Sequence, residues 1–479
     1  MSIVTGKQYI DRIDKLKNEI WIDGEKVEDK LSEHQAFKGI LKSKAALYEL
    51  QHDSSLQEKL TFVEQNERHN FAYKQPKTIS CLQERRDGTQ LWAKENGGTI
   101  GRSPDYINTA IMTLGTSHSF FDNRFANNAT NLYERAKKND LSFTHTFINP
   151  QSNRSPFYFE SYRENNKDDI VAAKVIDETE DGIVIHGARL LATQGGITDE
   201  ILVLPAATKS MDTTYAFAFA IPSNTPGLKF LCRQSYASSS NCQFDYPLSS
   251  QFDEVDAIVV FDHVLVPWEC VLLYKNSEKA STIFTETNLN IMLLYQAVSR
   301  QIIKTEFILG VGESLATSID VTQYQHIQEK LSEIIVCLEI MKSLLARAES
   351  EASVNSFGTM VPAHVPLMTA SNYYQKTYPR LVEILHLIGA SGFISLPTEA
   401  DFNTTIGKEL EHYLQAANVK GRERVQLTRL AWDLTMSPFG SRQTQYERFF
   451  FGDPIRLSSA LYLSYDKQPF VDDIDSFLK

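Results

Sequence analysis

The chain has 479 residues, 42% of them hydrophobic and 23% charged, with a formal net charge of −12. That length exceeds what one core usually supports, so two or three packed units are expected, with the composition of an ordinary globular protein. Acids outnumber bases, leaving no basic surplus to neutralise phosphates, which argues against nucleic acid or an anionic membrane as the main partner.

Cysteine usage narrows the chemistry further. Cys81, Cys232, Cys242, Cys270 and Cys337 are scattered, form no CxxC pair and have no histidine at ligand spacing. Neither structural zinc nor a disulfide framework is expected, and no metal site is assigned. The opening residues MSIVTGKQYIDRIDKLK lack the apolar core of a signal peptide, and no apolar run approaches bilayer-spanning length, so a cytoplasmic protein is expected.

In chain order, Tyr9, Ile10, Ile13 and Leu16 have helical spacing, and IWIDGEKV places Asp23-Gly24 between two short β-prone runs, a hairpin signal. From Leu31 to about Asn139 the pattern is mostly helical, with Phe37, Leu41, Ala45 and Tyr48 three or four apart. Residues 1–141 therefore read as a mostly helical domain carrying one small hairpin.

Between about Phe157 and Trp268 the period changes to two. Val171, Ala173 and Val175 alternate, Asp181-Gly182 turns the chain, and Ile183 and Ile185 alternate again. Tyr215, Phe217, Phe219 and Ile221 continue the series, followed by Leu228 and Phe230, then by Ile258, Val260, Val264 and Val266. Short strands at this spacing suggest an antiparallel barrel or sandwich over residues 142–270. No strand runs into GxGxxG, so a Rossmann cofactor site is not expected.

Beyond Val271 the helical period returns. Ile327, Leu331, Ile334, Ile335, Leu338, Met341 and Leu345 form one core stripe, and further helices are expected near Asn290–Ala316, Pro366–Ile388 and Gly421–Met436. Residues 271–479 read as a helical bundle, with Pro379 expected to kink or break its helix.

Two stretches carry chemistry. FTHTFINPQSNRSP surrounds His145 with Thr144, Thr146 and Asn149 and then presents Gln151, Ser152, Asn153 and Arg154. Its Asn-Pro and Ser-Pro steps disfavour helix, giving either an ordered loop that offers polar groups to a ligand or a capped surface turn. In GRSPDY, Ser103-Pro104 has the form of an N-cap followed by proline at the first helical position. Arg102 and Tyr106, four apart, can then face one pocket, where a guanidinium and a phenol suit an anionic or phenolic oxygen.

These stretches, together with DGIVIHGARLLAT, PLSSQFDEVDAIVVFDHVLVPWE, RQIIKTEFILG, GASGFISLPTEADF and AWDLTMSPFGSRQTQYERFFFGDPIR, resemble the large oxygenase component of the 4-hydroxyphenylacetate 3-hydroxylase family. TGKQYIDRI and IWIDGEKV also fit, so the likeness covers essentially the whole chain. It implies an α+β multidomain, acyl-CoA-dehydrogenase-like fold, with a helical N-terminal domain, a middle antiparallel β-barrel and a C-terminal helical bundle.

The resemblance implies a two-component monooxygenase. FADH2, delivered by a separate NAD(P)H flavin reductase, reacts with dioxygen to give a C4a-hydroperoxide that hydroxylates a phenol ortho to its oxygen. Arg102, Tyr106 and His145 are implied as catalytic residues around that oxygen. Ser103, Pro104, Asp105, Ala206 and Ala207 join them in holding the substrate. FAD contacts are implied at His145, Thr146, Phe147, Gln151, Ser152, Asn153, Arg154 and Thr193, and at Gly440, Ser441, Arg442 and Gln443. A homotetramer is also implied.

One local departure stands out. After LAT many members of the family continue with an apolar, proline-containing turn, whereas this chain has Gln194, Gly195, Gly196 and Ile197, which could loosen a lid or make a tight turn. The substrate is therefore 4-hydroxyphenylacetate or another phenol, such as a phenylpropanoid, tyrosine derivative or chlorophenol. The same fold also hosts acyl-CoA dehydratases and dehydrogenases. A dehydratase with an iron-sulfur cluster would need cysteines near Arg102, Tyr106 or the Tyr295-Gln296 helix, and the sequence has none there.

Overall fold

The computed structural model describes residues 3–150, 170–206, 212–237 and 242–479. Gln151, Ser152, Asn153, Arg154 and Ala207, singled out above, lie outside the described residues. The chain folds as two compact units, Met1–Arg300 with Val354–Val361, and Gln301–Ser353 with Pro362–Lys479.

The first unit opens with helix Gly6–Leu16, whose N-terminus is closed by a reciprocal Thr5 and Gln8 capping box. The expected hairpin follows as β1 (Glu19–Ile22) and β2 (Glu25–Lys26). Asp23 at φ 52° and Gly24 at φ 84° give the left-handed pair that a tight hairpin turn needs. A second hairpin, β3 (Thr61–Glu64) and β4 (Glu67–Asn70), interrupts the region read as mostly helical. Its turn uses Gln65 and Asn66, both at positive φ, without the glycine that would have marked it.

The strands of the two main sheets that follow are β5 (Phe143–Thr146), β6 (Lys174–Glu178), β7 (Gly182–Thr193), β8 (Glu200–Val203), β9 (Phe217–Pro222), β10 (Leu228–Cys232), β11 (Asp256–Pro267) and β12 (Val271–Tyr274). Among the described residues they do not close into the expected antiparallel barrel. They form a six-stranded sheet, ordered β2-β1-β10-β11-β7-β6, and a four-stranded sheet, ordered β12-β9-β8-β5. The β1–β10 and β5–β8 pairs are parallel, so both sheets are mixed. The N-terminal hairpin is thus an edge of the larger sheet rather than an appendage of the helices.

The sheets meet through large side chains. Phe261 of β11 and Phe219 of β9 pack edge to face at 6.0 Å. Each such aromatic, taken out of water, contributes roughly 1.5 to 3 kcal/mol. The inward face of β11 differs from the sequence reading: Val259 and Phe261 are buried, whereas Ile258 is exposed. A register irregularity between Phe261 and Val264 puts an extra residue on β11 and shifts the alternation, so that Val264 and Val266 return to the core.

In the second unit, helix Gln325–Ser350 buries Ile327, Leu331, Ile334, Leu338, Met341 and Leu345, with Ile335 left exposed. Helix His364–Gly389 runs unbroken through Pro379. The missing N–H and ring clash cost about 3 kcal/mol, but Tyr374, Tyr378, Leu381 and Leu385, all fully buried on either side, hold the helix together. Helices Gly421–Thr435, Pro438–Phe449, Pro454–Ser464 and Gln468–Phe477 also belong to this unit.

Candidate active site

Helix Pro104–Thr116 is buried along nearly its whole length. Its polar residues are accommodated because the Thr109 and Thr113 hydroxyls donate to the carbonyls of Asp105 and Thr109, at 2.7 and 2.8 Å. The same helix projects Tyr106, and the stretch just ahead of it supplies Arg102. The Arg102 guanidinium carbon lies 4.4 Å from the Tyr106 ring centre, a cation–π contact.

His145 comes from β5, which pairs in parallel with β8 so that His145 sits opposite Leu202. Its ring centre is 5.9 Å from that of Tyr106 and 5.6 Å from that of Phe147, which in turn meets Phe284 at 5.7 Å. Arg102, Tyr106 and His145 therefore occupy one region, backed by an aromatic wall. A separate cavity of about 620 Å³, lined by Lys38, Lys42, Asn96 and Ile100 among others, includes none of the three.

Burial sets the protonation states here. The His145 imidazole is pushed well below its usual pKa, first by burial and then by the Arg102 charge, so it is neutral at pH 7. Its Nδ1 is buried without a hydrogen-bond partner among the described residues. The Tyr106 phenol is shifted upward by burial, opposed by Arg102 and Arg300, and keeps its proton. The three side chains thus bring together one cation, one hydroxyl donor and one neutral imidazole.

Several other residues singled out from the sequence are engaged within the protein. The Ser103 hydroxyl donates to the Asp105 carboxylate and, among the described residues, makes no capping hydrogen bond to the helix it precedes. Thr89 and Gln296 donate to the other Asp105 oxygen at 2.9 and 3.0 Å. Asp105 is fully enclosed, and burial raises its pKa. Pro104 occupies the first helical position.

On the strand side, the Thr146 hydroxyl donates to the carbonyl of Leu190, and the Thr193 hydroxyl to Asp256, both at 2.7 Å. Ala206 lies buried just beyond β8. The alternatives left open for the Gln194–Ile197 stretch resolve to a tight, packed turn. Gln194 has φ 63° and Gly196 φ 84°, and Ile197 N–H donates to the Gln194 carbonyl at 3.2 Å. The Asn18 side chain donates to the Gly196 carbonyl at 2.6 Å.

Gly440, Ser441, Arg442 and Gln443 belong to helix Pro438–Phe449 in the second unit. Gly440 N–H is capped there by the Ser437 hydroxyl at 3.1 Å. The Gln443 amide oxygen accepts from the buried Lys304 ammonium at 2.6 Å.

Family models for the N-terminal and C-terminal parts of 4-hydroxyphenylacetate 3-hydroxylase match residues 5–273 and 280–479. The chain belongs to that family. Among its 4-hydroxyphenylacetate 3-hydroxylase relatives, a "Probable 4-hydroxyphenylacetate 3-monooxygenase" of Bacillus subtilis (strain 168) is 51% identical, covering 100% of this chain and 99% of its own. The 4-hydroxyphenylacetate 3-monooxygenase oxygenase component of Thermus thermophilus is 43% identical, covering 99% and 97%. A crystal structure of such an oxygenase component, complexed with FAD and 4-hydroxyphenylacetate, superposes with a TM-score of 0.95 at 43% identity, covering 99% of this chain and 98% of that one. Glutaryl-coenzyme A dehydrogenase, at 10% identity and a TM-score of 0.51 over 83% and 82% of the two chains, shares the fold alone.

Within this 4-hydroxyphenylacetate 3-hydroxylase framework the structure adds residues that sequence reasoning missed. Gln296 and Thr89 fix Asp105 at the helix start, and Phe284 closes the aromatic wall. Glu254, fully buried, accepts the backbone N–H groups of Gly101 and Arg102 at 2.8 and 2.7 Å. Its available signal was an acid-rich FDEVDA ahead of a long apolar strand.

Proposed function

We propose that this protein is the oxygenase component of a two-component monooxygenase that hydroxylates a phenol, 4-hydroxyphenylacetate or a close relative, at the carbon ortho to its oxygen. The observation that carries this reading is the grouping of the Arg102 guanidinium, the protonated Tyr106 hydroxyl and the neutral His145 imidazole in one buried region. Such a set matches a phenolic oxygen: the hydroxyl donates to it, the imidazole accepts its proton's hydrogen bond, and the charge favours phenolate character. An oxygen so held makes the ortho carbon electron-rich. One charge-assisted hydrogen bond of this kind contributes about 2 to 3 kcal/mol, on the order of a hundredfold in rate.

The residues also fit a flavin. His145 offers a buried nitrogen without a partner among the described residues, and Phe147 and Phe284 supply an aromatic surface beside it. Residues His145, Thr146, Phe147 and Thr193 would hold the ring system. For Gly440, Ser441, Arg442 and Gln443 the support is the family resemblance alone. When bound, reduced FAD with dioxygen supplies the electrophilic oxygen atom. The protein's part is to orient the phenol and keep water away from it.

By the same reading a separate NAD(P)H-dependent reductase delivers the reduced flavin, and the protein works in the cytoplasm as a homotetramer. The last two helices leave Ile455, Leu463, Phe470, Ile474 and Phe477 exposed, an apolar set suited to contact with a second copy. No helix among the described residues is long and apolar enough to cross a membrane.

The test is an anaerobic supply of FADH2, followed by oxygen and a panel of phenols, scored for catechol. Catechol from at least one phenol is expected. Flavin oxidation with no hydroxylated product from any of them would refute the proposed activity.

A further inference from the structure

Arg102 is the cation of the trio, yet it lies ahead of the first helical residue, Pro104, where no helical ladder fixes its backbone. The structure supplies another restraint. Glu254 is fully buried, and its carboxylate accepts both Gly101 N–H and Arg102 N–H, one on each oxygen, at 2.8 and 2.7 Å. The Gln194 amide nitrogen donates to the Arg102 carbonyl and to Glu254 Oε1, both at 2.9 Å. Both backbone polar groups of Arg102 are thus held by side chains from distant parts of the chain.

The holders are themselves anchored. Gln194 N–H donates to the carbonyl of Val255 at 2.8 Å, the residue after Glu254. The Glu254 carbonyl accepts from Arg233 at 3.0 Å. Arg233 is ion-paired with Asp253 at 2.7 Å and Asp256 at 3.0 Å. A buried carboxylate is costly in a turn that a neutral acceptor could satisfy, and here it is spent on the residue that carries the site's charge.

We propose that Glu254 is a positioning residue for Arg102 and that Gln194 completes the same clamp, fixing where the guanidinium stands relative to the phenolic oxygen. This rests on the assignment of Arg102 to that oxygen, and the experiment separates the two. 4-Nitrophenol, whose phenolate absorbs in the visible, is bound to the FAD-loaded protein. Its apparent pKa on the enzyme is measured for the parent, Arg102→Ala, Glu254→Gln and Gln194→Met, beside the yield of hydroxylated product per reduced flavin consumed.

Displacing the guanidinium weakens phenolate stabilisation, so the bound pKa rises in Glu254→Gln and Gln194→Met, with the largest rise in Arg102→Ala. Product per flavin falls about tenfold in the two clamp variants, while FAD retention matches the parent. A carboxylate acting only through its own field gives the opposite sign, because removing a negative charge lowers the phenol's pKa. A fall in Glu254→Gln, or parental pKa and yield in both clamp variants beside a shifted Arg102→Ala, overturns the clamp. Parental behaviour of Arg102→Ala overturns instead the assignment of Arg102. Should Glu254→Gln fail to fold, Gln194→Met, which removes no charge, decides the question.

Discussion

Tyr106 and His145 stand with ring centres 5.9 Å apart and planes inclined at 51°, and neither ring is charged at neutral pH. The only charge of the trio is on Arg102, so a phenolic oxygen held as proposed would meet one cation and two neutral hydrogen-bonding groups. Arg102→Ala is therefore expected to go on consuming reduced flavin while losing coupled hydroxylation by on the order of a hundredfold. Product and hydrogen peroxide measured in the same reaction check this, and an unchanged product yield removes Arg102 from the mechanism.

The burial of His145 makes stability depend on pH. Its folded-state pKa lies below the ordinary histidine value, so between the two values the unfolded chain binds a proton that the native state does not. Stability from this group is then present above the unfolded pKa, about 6.5, and is lost as pH falls toward the folded value. His145→Asn is expected to flatten that part of the acid limb. Denaturation midpoints collected from pH 7 downward for both proteins check it, and identical slopes contradict it.

The order helical region, strands, helices was legible because apolar period follows secondary structure closely over long runs, as in the Ile327–Leu345 stripe. Sheet architecture was not, because pairing partners such as β1 with β10 lie some two hundred residues apart, and alternation says nothing of who pairs with whom. The face of Ile258 was misread because a register shift leaves no mark in composition. At the site, Arg102, Tyr106 and His145 stood out through local motifs. Glu254 did not, since its partners are 152 and 153 residues away, and a single acid before a strand reads as surface.

The Gln194–Ile197 turn yields a contrast between two glycines. Gly24 and Gly196 both have φ of +84°, but a Cβ on Gly24 would meet none of the described residues within 4 Å, while one on Gly196 would lie 2.6 Å from Ile20 Cγ1. Gly24→Ala is expected to cost about 1 kcal/mol, the left-handed backbone penalty alone. Gly196→Ala adds overpacking of roughly 1 to 3 kcal/mol, and because its turn carries Gln194, it should also weaken substrate binding. Thermal midpoints and KM values for the two variants test the contrast; equal effects would mean the turn is not packed as described.

Deep in the second unit, Lys304 donates to Glu447 at 2.8 Å with both side chains fully buried. The same ammonium donates to Gln443 at 2.6 Å, and Gln301 donates to the second Glu447 oxygen at 3.0 Å. With its partners satisfied such a pair is close to neutral for stability, but removing one member strands the other charge, at a cost of about 3 to 5 kcal/mol. Glu447→Leu should therefore lower stability by that amount, and adding Lys304→Met should restore much of it. The two differ at Gln443, because the double variant lacks the donor that orients its amide. If Gln443 contacts FAD, recovered stability in the double variant will come without recovered flavin affinity. Chemical denaturation and flavin binding measured on both variants test this, and a double variant as unstable as the single one would show that the ion pair is not an isolated couple.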